Sequence, residues 1–181
     1  EAGAEPEPEP PKMLPWESVE LKGKETKKNF SLNRGAIIRG DSTRREIALV
    51  FTGHEFGEGG TFIDSLLLKE NIQASFFLTG DFYRNEQFRP LIKGLRRRGH
   101  YLGGHSDKHL LYCDWTKRDS LLLIEQQFSL DLADNYAAMA AHGIEANKSR
   151  YFLPPYEWYN DSIATWTNRF GMQLINYTPG T

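Results

Sequence analysis

Two histidines four residues apart are the first feature that could do chemistry. The segment GHYLGGHSDKHLLY, residues 99–112, contains three of the five histidines, and His105 and His109 within it are spaced by about one helical turn. If residues 106–109 open a helix, both imidazoles lie on one face and can bind the same metal ion. At this spacing Asp107 points away from the face that the histidines share, which makes it a helix-start residue. The alternative is an exposed helix start with solvated histidines. Taken alone, the pair favours this second interpretation.

A second group of candidate ligands follows an apolar run at residues 46–51. The sequence TGHE places His54 and Glu55 directly after this predicted strand. Imidazole and carboxylate ligands together suit zinc and its neighbours better than calcium or magnesium. A site with three protein ligands leaves one position open for water, as a hydrolytic metal requires. The two loops together therefore predict a divalent metal site, with zinc as the expected ion.

A proline and aromatic loop, FLPPYEWYN at residues 152–160, is the third candidate. Tyr156 and Trp158 are suited to stacking against the C–H faces of sugar rings. They are equally suited to packing against the core beside Pro155. Trp115 also has two interpretations: it lines the substrate groove, or it packs against the helix that follows it.

Short apolar runs alternate with helical patterns along the chain, and these elements must position the candidate residues. Strands are predicted at residues 46–51, 72–80, 100–105, 150–156 and 172–177, and helices at 61–71, 85–99, 117–142 and 161–171. This alternation predicts an α/β fold with parallel strands and outer helices, either an open sheet or a barrel. In such folds reactive groups gather at the carboxyl ends of the strands. His54, His105 and Tyr156 all fall there.

Composition narrows the classes of partner. The net charge of −2 with mixed signs provides no basic field for nucleic acid, and no apolar run is long enough to span a membrane. The single cysteine, Cys113, excludes an intrachain disulfide and a cysteine-based zinc cluster. Residues 1–12 alternate Glu and Pro and predict a disordered linker, followed by an N-terminal extension at 13–45 and the α/β domain at 46–181. The oligomeric state is not readable.

The segments EIALVF, IQASFFLTGDF, GHYLGGHSDKH and YFLPPYEWYN together resemble the polysaccharide deacetylase family of metal-dependent carbohydrate esterases. His105, Ser106 and His109 match its H-S/T-x-x-H metal motif. The resemblance implies a distorted (β/α) barrel that removes acetyl groups from a polysaccharide or oligosaccharide, and it implies secretion or a periplasmic or cell-surface location. We assign Glu55, His105 and His109 as metal ligands, His54 as catalytic base, and Tyr156 and Trp158 as substrate-binding residues.

This chain departs from the family pattern at its first motif. Thr52 and Gly53 stand where the family has two aspartates, and Leu153 stands where it has the arginine that pairs with the first of them. In one interpretation His54 and Glu55 replace the aspartates, with roles that are interchangeable, because a neutral imidazole can accept a proton from water. In the other, the domain is catalytically impaired and binds glycan. The family's late histidine motif has no match after Tyr177, so we expect a barrel that is incomplete at its C-terminus.

Overall fold

The computed structural model describes residues 30–178. The predicted linker at residues 1–12 and part of the predicted extension at 13–45 therefore lie outside the described residues. The strands are β1 Ser31–Asn33, β2 Ala36–Arg39, β3 Val50–Gly53, β4 Ser75–Leu78, β5 Tyr101–Gly104, β6 Tyr151–Phe152 and β7 Gln173–Leu174. The α-helices are α1 Gly60–Lys69, α2 Gly80–Arg84, α3 Arg89–Arg97, α4 Glu125–Ala140 and α5 Asp161–Arg169. Short 3-10 turns lie at Glu86–Phe88, Ala146–Lys148 and Pro155–Glu157.

Strands β3 to β7 form one parallel sheet in sequential order, which confirms the predicted α/β architecture. The register pairs Gly53 with Leu78, Leu78 with Gly104, and Gly104 with Phe152, so the carboxyl ends of four strands lie side by side. β1 and β2 form a separate hairpin. The Ile37 carbonyl accepts a hydrogen bond from the Asn176 N–H at 2.8 Å, which attaches this hairpin beside β7.

The core lies between this sheet and its helices. Phe76 and Phe77 are buried, as the sequence predicts for β4. Helix α4 contributes Phe128, Leu132 and Tyr136, the residues whose spacing predicts a helix here. The α3 pattern is confirmed with a proline in its first turn, and Gly99 follows the helix with φ of +79°, a conformation that favours glycine. None of the helices between residues 30 and 178 combines the length and apolar character needed to cross a membrane.

Two predicted elements are wrong in their bounds. The strand predicted at residues 46–51 begins only at Val50, because β3 is an edge strand and Ile47 is 88% exposed. The helix predicted at residues 117–142 begins only at Glu125. Its first eight residues form a turn instead, since Asp114 Oδ1 accepts hydrogen bonds from the Thr116 and Lys117 N–H groups at 2.8 and 2.7 Å. Such Asx turns compete with helix formation.

Candidate active site

The predicted site residues from two distant loops share one pocket. This pocket, of about 220 Å³, is at the carboxyl ends of β3 and β5 and is lined by Thr52, Gly53, His54, Glu55, Phe56, His105 and His109. The ring centroids of His54 and His109 are 4.8 Å apart, and those of His105 and His109 are 5.0 Å apart. The fold thus brings together three imidazoles and one carboxylate.

The loop that carries His105 and His109 is not a helix, contrary to the sequence prediction. Ser106 and His109 have φ of +73° and +56°, in the left-handed region. Two side chains of α4 hold this loop by its backbone. Asn135 Oδ1 accepts the His105 N–H at 2.9 Å, and Asp131 Oδ1 accepts the Asp107 and Lys108 N–H groups at 3.1 and 3.2 Å. These long-range hydrogen bonds replace the local ones that a helix would make.

Asp107 is also misassigned as a helix-start residue. It is buried, and its two oxygens accept hydrogen bonds from the Arg84 guanidinium at 2.7 and 2.8 Å. A Cβ at Gly80 would lie 1.8 Å from Asp107 Oδ1, so only glycine permits this close approach. The Arg84 pair therefore fixes the middle of the histidine loop against the start of α2.

The environment of His105 determines which of its ring nitrogens has a lone pair available to a ligand. Its Nδ1 lies 2.8 Å from the Leu153 carbonyl oxygen, which can only accept, so Nδ1 carries the hydrogen. Burial lowers the pKa of His105 to about 4 and keeps the ring neutral at pH 7. The Nε2 atom makes no hydrogen bond within the described residues and holds the lone pair. This is the arrangement typical of metal-binding histidines, whose second nitrogen donates to a backbone carbonyl.

His109 and His54 complete the imidazole cluster. Burial, with a smaller contribution from His54, lowers the pKa of His109, so this ring too is neutral at pH 7. His54 Nδ1 lies 3.2 Å from the Thr79 hydroxyl, and its Nε2 lies 3.8 Å from Glu55 Oε1. Thr79 also caps α2 by accepting the Phe82 N–H at 3.1 Å, which ties the ring of His54 to a helix terminus.

The donor set fits a divalent metal by its chemistry. Neutral imidazole nitrogens with a nearby carboxylate are ligands that suit zinc. The rings of His54 and His109 are stacked, within 12° of parallel. Among the described residues, no set of three or more His, Cys, Asp or Glu side chains is arranged to hold a metal ion. The assignment of Glu55, His105 and His109 as ligands stays a prediction.

The aromatic loop lies beside the imidazole cluster. The Tyr156 ring centroid is 4.4 Å from that of His109, and the Tyr156 ring is 44% exposed. Tyr156 and Glu157 have φ of +58° and +53°, a left-handed pair that costs backbone energy and is often found at functional sites. Trp158 lies further out and donates its indole N–H to the Asp114 carbonyl at 3.1 Å. Tyr156 thus adjoins the pocket, whereas Trp158 does not contact the histidines directly.

Three other residues with reactive side chains lie outside the candidate site. His100 is buried at the opposite end of β5, and His142 Nε2 donates to the Tyr83 carbonyl at 2.6 Å. Burial raises the pKa of the Cys113 thiol to about 11, which argues against a nucleophile.

Sequence reasoning missed the residues that support the site. Asp131 and Asn135 interrupt the apolar face of the predicted helix at residues 117–142, and polar residues at such positions are the signal that would have found them. Asn135 is fully buried and also donates to the Leu78 carbonyl at 3.2 Å, so it joins β4 to the histidine loop. Thr79 gave no comparable signal, because its contact with His54 depends on the spatial arrangement of two strands.

Comparison with known proteins places these observations in a family. The family model for polysaccharide deacetylase matches residues 40–175, which is most of the chain. The chain belongs to the polysaccharide deacetylase family. The match covers the TGHE loop, the histidine loop and the aromatic loop.

Individual relatives agree with this assignment. The chain is 27% identical over 141 residues to the peptidoglycan-N-acetylmuramic acid deacetylase PdaA of Bacillus subtilis, covering 77% of this chain and 49% of that protein. A family 4 carbohydrate esterase from Bacillus anthracis superposes with a TM-score of 0.67 at 20% identity, covering 78% of this chain and 63% of that one. A pseudoenzyme of the same esterase family, also from Bacillus anthracis, superposes with a TM-score of 0.61 at 22% identity, covering 80% and 47%.

The solved structures confirm the fold as the α/β architecture of this family, consistent with its distorted barrel. The chain spans less than half of the length of the curated relatives that it matches.

Proposed function

We propose that this chain carries the site of a metal-dependent carbohydrate deacetylase, which hydrolyses acetyl groups on an acetylated polysaccharide or oligosaccharide. One observation carries the proposal: His54, Glu55, His105 and His109 converge from two loops on one pocket at the carboxyl ends of the strands. Membership of the polysaccharide deacetylase family supports the same reaction class. Since acetylated glycan polymers lie outside the cytoplasm, we extend the proposal to a secreted, periplasmic or cell-surface location.

In this proposal Glu55, His105 and His109 hold the divalent metal, with zinc favoured by the imidazole donors. A bound metal would polarise the acetyl carbonyl and lower the pKa of a water molecule. The carbonyl of Leu153 keeps His105 Nε2 directed away from the backbone and unprotonated. Leu153 therefore contributes through its backbone at the position where the family has an arginine side chain.

His54 is the proposed base, and Thr79 determines whether it can act. If the His54 Nδ1–H donates to the Thr79 hydroxyl, Nε2 holds a lone pair and can accept the proton that the attacking water loses. Glu55, with its oxygen 3.8 Å from Nε2, stabilises the imidazolium that results. The proton then returns to the leaving amine or hydroxyl of the sugar, and the products are acetate and the deacetylated sugar.

The second candidate is a glycan-binding domain with an impaired site. Thr52 and Gly53 at the positions of the two family aspartates favour it, because neither side chain can act as a base or as a carboxylate ligand. The similarity to a pseudoenzyme is compatible with this alternative. Such a domain would bind oligosaccharide without releasing acetate.

Acetate release from acetylated chito- and xylo-oligosaccharides, measured together with metal content, tests the proposal. We expect the native protein to bind about one zinc and to release acetate. His109→Ala should lower both, while His142→Ala, a histidine outside the site, should lower neither. If His109→Ala retains the metal and the activity of the native protein, the proposed site is wrong. If the native protein binds oligosaccharide but releases no acetate, the impaired alternative holds.

A further inference from the structure

An aromatic strip extends the candidate site across the surface. It consists of Trp115, Tyr156 and Trp158. Tyr156 contacts His109 at 4.4 Å between ring centroids, Trp115 lies 5.4 Å from Tyr156, and Trp158 lies 5.7 Å from Trp115. The strip is therefore continuous with the imidazole cluster, and Trp115 is one ring further from it than Tyr156.

Trp115 is presented by a rigid turn. Asp114 Oδ1 accepts hydrogen bonds from the Thr116 N–H, the Thr116 hydroxyl and the Lys117 N–H, all between 2.7 and 2.8 Å. The Asp114 carbonyl accepts the indole N–H of Trp158 at 3.1 Å. Asp114 thus fixes the backbone turn that carries Trp115 and the indole beside it, and a backbone ordered before the ligand arrives reduces the entropy lost on binding.

The exposure of Trp115 is not explained by core packing. The residue is 54% exposed, whereas Trp158 packs against the buried core. The helix that Trp115 would have contacted in the sequence prediction begins only at Glu125. A large aromatic surface that is held rigidly, exposed and adjacent to a catalytic pocket is typical of a binding site.

The aromatic residues of the strip indicate which class of ligand it would bind. The C–H faces of pyranose rings are flat and apolar and stack on aromatic rings, while the sugar hydroxyl groups remain in water. The Arg118 guanidinium lies 4.4 Å from the Trp158 ring centroid and donates its Nε–H to the Tyr159 carbonyl at 2.6 Å, so it is engaged by the protein. Tyr156 meets Trp115 edge to face at 74° and Arg118 lies over Trp158, so the exposed Trp115 ring is the surface of the strip that fits a neutral sugar ring.

We infer that Trp115 forms a stacking subsite for the sugar ring adjacent to the one that reacts. The identity of the reacting sugar rests on the proposed function, but stacking on Trp115 does not. Tyr156 contacts the reacting sugar beside His109, and the chain of sugars continues over Trp115 towards Trp158.

Chain-length dependence tests this subsite. Acetate release is measured on N-acetylglucosamine and on N-acetylchitopentaose, and on acetylated xylose and xylopentaose in parallel. One of the two pentasaccharides should be hydrolysed by the native protein. For that substrate Trp115→Ala should raise KM about tenfold, the loss of affinity expected for one aromatic stacking contact. It should leave kcat/KM for the monosaccharide unchanged. Trp115→Phe should retain most of the affinity, and Phe62→Ala, an exposed aromatic residue on α1, is the matched control.

Calorimetric binding of the same pentasaccharides separates this inference from the proposed function. If the native protein releases no acetate but binds a pentasaccharide, and Trp115→Ala abolishes that binding, the subsite stands and the deacetylase proposal falls. If acetate is released, and Trp115→Ala alters kcat/KM for neither the monosaccharide nor the pentasaccharide, or alters both equally, the subsite is wrong and the deacetylase proposal stands. If the native protein neither binds nor hydrolyses any of the four sugars, both are wrong.

Discussion

A histidine lies at each end of strand β5, and the two rings carry their hydrogen on different nitrogens. His100 precedes the strand and His105 follows it, and both residues are buried. His100 Nδ1 accepts the Ala74 N–H at 3.1 Å, whereas His105 Nδ1 donates to the Leu153 carbonyl at 2.8 Å. The neutral rings therefore carry their hydrogens on different nitrogens. At His100 the hydrogen is on Nε2, and at His105 the lone pair is there.

The surroundings of the two Nε2 atoms explain what each ring can do. His100 Nε2 makes no hydrogen bond and lies 3.7 Å from Asp64 Oδ1, in a closed interior where Asp64 is paired with the Arg98 guanidinium. His105 Nε2 belongs to a ring that lines an open pocket beside two further imidazoles. A backbone donor at one end and a backbone acceptor at the other thus decide which histidine is structural and which is available to a ligand.

The largest expected effect is on stability at the His100 end. Asp64→Ala leaves the partly exposed Arg98 guanidinium without its bidentate partner, a carboxylate that is itself buried. We expect this variant to lose more free energy of unfolding than the variants below, because removing one partner of such an ion pair is destabilising. Urea denaturation measures this loss. Acetate release per folded molecule should be unchanged, and a specific loss of activity would contradict the separation of the two ends.

At the other end of β5 the expected effect is on activity. His105→Ala should lower acetate release by at least about 100-fold, since removing a ligand should cost more than disturbing its supporting shell. The free energy of unfolding should also fall, by an amount similar to that for His100→Ala, because the Leu153 carbonyl loses its donor. His100→Ala provides the matched variant, because it should lower stability by about 1–3 kcal/mol through the unsatisfied Ala74 N–H and spare activity. Equal activities in the two variants would refute the comparison.

Removing a side chain that supports the histidine loop should have an intermediate effect on acetate release. Asn135→Ala removes the acceptor of the His105 N–H and the donor to the Leu78 carbonyl. We expect acetate release to fall by about 10-fold, the smaller loss typical of removing a hydrogen bond that orients a metal ligand, together with a reduced zinc affinity. Zinc titration by calorimetry measures the affinity. A loss of stability without any change in zinc affinity would show that Asn135 supports only the core.

The smallest expected effect is a pH dependence that originates at His100. Burial lowers the pKa of His100, and the nearby Arg98 lowers it further, against an opposing contribution from Asp64. The unfolded chain therefore takes up a proton at higher pH than the folded chain does, so stability falls as pH drops below the ordinary histidine pKa near 6.5. His100→Asn, which keeps an acceptor for Ala74, should lose less stability between pH 7.5 and 5.5. An identical loss in both proteins would contradict this assignment.

The predicted parallel sheet follows from features that are local in the sequence. Short β-branched and aromatic runs such as residues 72–80 alternate with helical patterns, and this alternation permits few arrangements other than a parallel sheet. The placement of His54 and His105 at one rim follows from the same rule, because both come directly after strands. Pro90 and Gly99 mark the ends of α3 by their backbone preferences, which do not depend on distant residues.

The errors in the histidine loop arise where distant hydrogen bonds override local preference. The four-residue spacing of His105 and His109 suggests a helix at residues 106–109. Asn135 and Asp131 instead bind N–H groups of this loop from 30 and 24 residues away. Asp107 was judged by its spacing from the histidines, and its pairing with Arg84 across 23 residues could not be read from that spacing.

By itself, the sequence determined the alternation of the sheet strands with helices α1, α3, α4 and α5, and the residue types that meet at the rim of the sheet, because these depend on periodicity and on the position of each loop after its strand. It did not predict helix α2. The tertiary structure alone decided which nitrogen each histidine presents, since that depends on whether a carbonyl or an N–H group of another segment lies opposite the ring. It also decided that Trp115 continues the surface of Tyr156. Both outcomes depend on segments that are adjacent in space and far apart along the chain.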